Sequence, residues 1–125
     1  MKPTKEQIKE FWEWCGFVVK PNVVSLGTID WPDYVWHDPE GSPRPDRGLP
    51  SINLNNLFRW AVPRVTSMHG VGRRLQVKIV SSWGESDGEY GVEISNMGKR
   101  LSIFFDKNPA LALFWAIWKV MEETK

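Results

Sequence analysis

Apolar residues recur along this chain at two spacings, and the switch between them separates helical from extended stretches. Near the start, Ile8, Phe11, Trp12 and Cys15 fall three and four apart, as on one buried helix face. Thr4 followed by Gln7 makes a capping box, in which hydroxyl and amide each satisfy a backbone N–H left free at a helix start. Gly16 ends the element, since it can take the left-handed conformation that stops a helix. Trp14 lies off the stripe, at its edge. Leu54, Leu57, Phe58 and Ala61 predict a second, shorter helix, with Ser51 or Asn53 as cap and Pro63 limiting its end. A third, "PALALFWAIWKVMEETK", opens with Asn108 as cap and Pro109 as first helical residue. Its main stripe is Ala110, Leu113, Phe114, Ile117 and Met121. Leu111, Trp115 and Trp118 carry the apolar coat beyond one face, so this helix should be buried on more than one side or join a partner.

Between the second and third helices the period drops to two. Leu75, Val77 and Ile79 alternate with Gln76, Lys78 and Val80; Tyr90, Val92 and Ile94 follow, then Leu101, Ile103 and Phe105. Three strands, 73–82, 89–96 and 99–106, therefore form an antiparallel meander. Pairing Val77 with Ile94 and Ile79 with Val92 keeps one face apolar and sets Lys78 opposite Glu93. Across the turn "NMGK", Ile94 meets Leu101, Val92 meets Ile103 and Tyr90 meets Phe105. Residues 17–50 read more weakly, with short strands at 17–20, 23–27 and 34–37. "DPEGSPRPDRGLP" holds four prolines, which remove backbone donors and fix φ, so it reads as a loop. The pieces on either side are too small to fold comfortably alone, which makes residues 1–125 a single domain. The fold class is α+β: an antiparallel three- to four-stranded meander sheet packed with helices as a helix/sheet/helix sandwich, with Phe104 supplying apolar surface to the second face.

Composition narrows the setting. With 42% apolar and 25% charged residues, the chain can bury a core without staples. The one cysteine forms no intramolecular disulfide and no cysteine metal cluster, and "MKPTKEQIKEFWEW" lacks the apolar stretch of a secretory signal. The longest apolar run, 110–118, is far short of the ~20 residues that span a bilayer. A cytoplasmic protein, with no membrane association and no cofactor, is the expectation. The net charge of +1 hides an uneven distribution: from 47 to 84 there is no Asp or Glu, while Arg47, Arg59, Arg64, Arg73, Arg74 and Lys78 all fall there. Acids return with Glu85, Asp87, Glu89 and Glu93. Either neighbouring strands cancel these charges across a hairpin, or the segment forms a basic face.

Candidate chemistry is sparse. "HGVGRR" is neither a Walker loop nor a dinucleotide fingerprint, because a strand rather than a helix follows it; Gly70 and Gly72 more simply allow a bend. Single-stranded nucleic acid needs only cations and rings: Arg59, Arg64, Arg73, Arg74 and Lys78 can supply the first, and Trp60, Trp83 and His69 the second. His37 with Asp38 offers an acid/base pair, although neighbours on an extended segment point to opposite sides, and "HDPEG" reads more simply as a turn in which Asp38 accepts local backbone bonds and Gly41 permits the reversal. Asp30, Asp33 and Asp38 are a conceivable metal set, and a hydrolase-like enzyme would have to use His37 or His69, but no nucleophile/base/orienter set can be assembled from the residues. Cys15, at the C-terminal end of a helix, has the wrong dipole for a reactive thiolate and reads as a small core residue.

"YVWHDPEG", followed by "LPSINLNNLFRWAVPRV" and by the ending "NPALALFWAIWKVME", resembles small proteins encoded by phages and prophages of Gram-positive bacteria, of the phage ABA sandwich type. The resemblance covers about half of the chain. It implies a sandwich fold, a mobile-element origin in a bacterial host, and no known activity. The expectation is a non-enzymatic accessory protein that binds a macromolecule: a protein partner or a second copy through Trp115 and Trp118, or, alternatively, single-stranded nucleic acid through the Arg-rich 59–78 segment.

Overall fold

The computed structural model describes residues 1–21, 34–44, 48–67, 76–81, 89–96 and 98–123. They gather into two compact units, Lys5–Pro50 in one, Met1–Thr4 with Ser51–Lys125 in the other. The division falls where the proline-rich stretch ends. The class is α+β, as the two periodicities require, with helices and two three-stranded antiparallel sheets.

The smaller unit begins with helix α1 (Lys5–Trp14), whose buried residues are Phe11 and Trp12. Its end follows from one glycine. Gly16 has φ 110°, and the turn it allows lets the Gly16 N–H donate to the Glu13 carbonyl and the Phe17 N–H donate to the Trp12 carbonyl, both at 3.0 Å. This is the Schellman arrangement, and its usual apolar clasp is present as an edge-on contact between the Trp12 and Phe17 rings at 5.4 Å. Trp12, fully buried, also meets Phe11 edge-on, and its indole N–H donates to the Pro50 carbonyl at 2.8 Å. Cys15 is buried as a small core residue.

Strands β1 (Val18–Pro21), β2 (Tyr34–His37) and β3 (Pro43–Arg44) form this unit's sheet in that order. The proline-rich stretch is thus not wholly a loop. Pro43 and Arg44 pair with His37 and Trp36, and Pro43 is tolerated because β3 lies at an edge of the sheet. The expected strand at 23–27 lies outside the described residues.

In the larger unit, Asn53 caps the second helix, its side-chain oxygen accepting from the Asn56 N–H at 2.8 Å. Pro63 does not end that helix, contrary to the sequence reading. The segment runs as α2 (Leu54–Asn56), a π turn (Leu57–Ala61) and α3 (Val62–Thr66). In a regular helix the proline ring strikes the carbonyl four residues back. Here the Val62 N–H reaches back to the Leu57 carbonyl, the wider i→i+5 step, and Pro63 stands in the first turn of α3, where a missing N–H costs no helical bond. The extra residue also changes the buried face. Leu57, Trp60, Ala61 and Val65 are buried, whereas Phe58, expected in the stripe, is 47% exposed.

The meander comprises β4 (Gln76–Ser81), β5 (Tyr90–Asn96) and β6 (Lys99–Asp106). Its first hairpin has the expected register: Val77 opposite Ile94, Lys78 opposite Glu93, Ile79 opposite Val92. The second holds only at its turn, where Asn96 faces Lys99 and Ser95 faces Arg100. A bulge then inserts Leu101, and beyond it Ser102 faces Ile94, Phe104 faces Val92 and Asp106 faces Tyr90. The expected partners Leu101, Ile103 and Phe105 are each displaced by one residue. Ile103 and Phe105 therefore share the other face with Glu93 and Gly91, and Phe105 is 39% exposed.

Helix α4 (Pro109–Glu123) packs on β5 and β6 and against the α2–α3 segment. Asn108 caps it by accepting from the Ala110 N–H at 2.9 Å. The whole expected stripe is buried, together with Ala112, Ala116 and Val120, so the helix is enclosed on more than one side. Ser102, buried where an apolar residue was expected, donates its hydroxyl to the Ala116 carbonyl of α4 at 3.0 Å. Burial pushes the Asp106 carboxyl up, but the Asn108 amide and the Met1 ammonium, 3.2 Å from Oδ2, hold it below its usual value.

Two substitutions check this construction. Gly16→Ala puts a Cβ 3.1 Å from Pro39 Cβ at a left-handed position, and should lower stability by about 1–3 kcal/mol in urea denaturation. Ser102→Ala removes one buried hydrogen bond and should cost about 1 kcal/mol by the same measurement, while an unchanged midpoint would show that the bond contributes nothing net.

Candidate functional site

His37 and Asp38 sit at the β2–β3 turn, and the geometry separates them. The Asp38 carboxylate accepts from the Glu40 N–H at 2.9 Å and the Ser42 N–H at 3.0 Å, while the Asp38 N–H donates to the Ser42 carbonyl and the Gly41 N–H to the Asp38 carbonyl. Gly41, at φ 89°, allows the reversal. The His37 ring turns elsewhere, with Nδ1 3.1 Å from the Val35 carbonyl. Asp38 and Gly41 build the turn, as the simpler sequence reading had it, while His37 belongs to the strand. Among the described residues, no three His, Cys, Asp or Glu side chains gather closely enough to hold a metal ion. Asp30 and Asp33 lie outside the described residues.

The β1–β2 pair presents a different kind of surface. Its register places Val19 opposite Trp36 and Pro21 opposite Tyr34, and residues two apart on a strand share a face. Val19, Pro21, Tyr34 and Trp36 thus form one apolar set, extended by Arg44 opposite Trp36. Tyr34 is 66% and Val19 48% exposed, Pro21 is exposed and Trp36 half-buried. Arg44 is fixed at the border: its Nε–H donates to the Gly48 carbonyl at 2.8 Å, and its guanidinium lies 5.6 Å from the centre of the buried Phe17 ring.

The basic segment is only partly described. His69, Arg73, Arg74 and Trp83 lie outside the described residues. Arg59 and Arg64 are exposed on the π turn and α3, and Lys78 is exposed on β4 opposite Glu93. The register sets Lys78 opposite Glu93, as the sequence reading expected, and the Glu93 carboxylate accepts from Arg100 Nε at 3.2 Å. Trp60 is not an open stacking platform. It is buried to 7% exposure, and the Arg59 guanidinium sits 4.5 Å above its ring.

Trp115 and Trp118 are half-buried and form a ring cluster with Phe114. Trp118 stacks on Phe114 at 5.9 Å and meets Trp115 edge-on at 6.2 Å, while the Trp115 indole N–H donates to the Met1 carbonyl at 2.7 Å. Among the described residues, Met1, Tyr34, Val19, Phe58 and Val18 are the more open large apolar side chains, and sequence reasoning had put none of them forward as a site. A signal for Tyr34 was present in "YVWH", where alternation around the buried Val35 turns Tyr34 and Trp36 the other way. Phe58 gave none, because the π turn that turns it outward has no sequence signature.

No helix among the described residues is long and apolar enough to cross a membrane. No family model matches this chain, and neither a curated protein nor a solved structure matches it.

Proposed function

We propose that this chain is a non-enzymatic macromolecule-binding module, an accessory protein of the phage or prophage kind, that works by protein contact through the β1–β2 face. The phage assignment rests on the sequence resemblance alone. The contact rests on one observation: Tyr34, Trp36, Val19 and Pro21 share a sheet face on which Tyr34 remains 66% exposed. Tyrosine and tryptophan suit such contacts, offering large apolar rings of low conformational entropy with a polar tip. The simplest partner is a second copy, since a face that meets itself across a two-fold axis closes without leaving further surface to pair.

Light scattering across a concentration series tests this. The mass should rise toward twice the monomer value, and Tyr34→Ala should weaken self-association by about 2 kcal/mol, roughly thirtyfold in dissociation constant. A mass that stays monomeric at every concentration, or a dimer indifferent to Tyr34→Ala and Val19→Ser, overturns the assignment.

A further inference from the structure

We infer that the outward side of the α2–α3 segment, carried by Phe58, Arg59 and Arg64, takes a single strand of nucleic acid. This surface lies in the larger unit and is independent of the β1–β2 face.

The π turn sets which side chains of this segment face outward. By placing one extra residue in the helix it buries Leu57, Trp60 and Ala61, and leaves Phe58 and Arg59 next to each other in solvent. Phe58 is 47% exposed, on a helix whose other large apolar side chains are buried or half-buried. Beside it, the Arg59 guanidinium is held 4.5 Å over the Trp60 ring, so a planar cation is pre-positioned there at reduced entropy cost. Arg64 adds a second exposed cation one turn further on. A ring for a base and two guanidinium groups for phosphates are the ingredients of a sequence-tolerant single-strand site.

Charge selects the occupant. Residues 48–84 contain no Asp or Glu, so the formal charge this stretch of sequence contributes is of one sign. A protein partner would need only the Phe58 ring, whereas a polyanion uses both the ring and the single-sign charge. Single-stranded rather than duplex nucleic acid follows from the ring, because a base can stack on Phe58 only when its face is free.

The experiment is fluorescence anisotropy with a labelled oligothymidylate of about 16 nucleotides, a length in the range of single-strand site sizes, titrated with the full chain at low and moderate salt. Affinity should fall with salt. Arg59→Gln with Arg64→Gln should reduce the slope of log K against log salt by about 1.4, at about 0.7 per released single-strand counterion. Phe58→Ala should weaken binding about tenfold without changing that slope. Circular dichroism confirms that the variants remain folded. Absence of low-salt binding overturns the inference. So does salt-dependent binding indifferent to all three substitutions, which would place the contact elsewhere in the basic stretch, and so does a Phe58→Ala variant whose only change is in oligomeric mass, which would make Phe58 a protein contact.

Discussion

The smaller unit depends on Trp12. Its indole N–H and the Pro50 carbonyl join a residue on the first helix to the unit's last residue, and the ring fills the space between Phe11 and Phe17. Few small assemblies of this size bury enough apolar surface to be stable without such a centre. A buried indole with its N–H unpaired would be costly, so the hydrogen bond and the burial require each other. Replacement by phenylalanine would keep a ring but leave the Pro50 carbonyl without its donor. The Gly16 turn belongs to the same construction, because it is what brings Phe17 back onto the ring.

In the larger unit the corresponding role falls to the bulge at Leu101. Regular pairing would have set the apolar residues of β6 on the side covered by α4. The bulge instead sets Ser102 and Phe104 there and turns Ile103 and Phe105 away. Ser102 accommodates this by bonding to the α4 backbone, so a hydroxyl occupies a core position without an unpaired polar group. The result is a sheet whose second face is itself partly apolar, with Ile103 opposite Glu93 and Phe105 opposite Gly91.

How far the sequence could be read follows from which patterns are local. The three helices, the caps at Asn53 and Asn108, the Gly16 stop and the Asp38 turn depend on residues a few positions apart, the first hairpin's register on unbroken alternation within each strand, and all are present. The π turn and the bulge each add one residue to a regular element, and neither leaves a mark in hydrophobic periodicity. They account for the misreading of Pro63, Phe58 and the second hairpin. The candidate surfaces were less legible for the same reason. Trp115 and Trp118 stood out by residue type but are partly spent on packing with Phe114, whereas Tyr34 and Phe58 are open because of backbone geometry.

The π turn at Leu57–Ala61 also determines the bearing of every side chain after it. A π turn is an α turn with one residue inserted, and removing a residue from it would restore an ordinary helix in this stretch. Everything beyond the deletion would then rotate by about 100° about the helix axis, carrying Val65 out of the core and Arg64 to a new bearing. Shorter versions of this chain lacking one residue here would therefore present a different outer surface on the same scaffold. The extra residue thus sets which side chains the segment turns toward α4 and which it turns away.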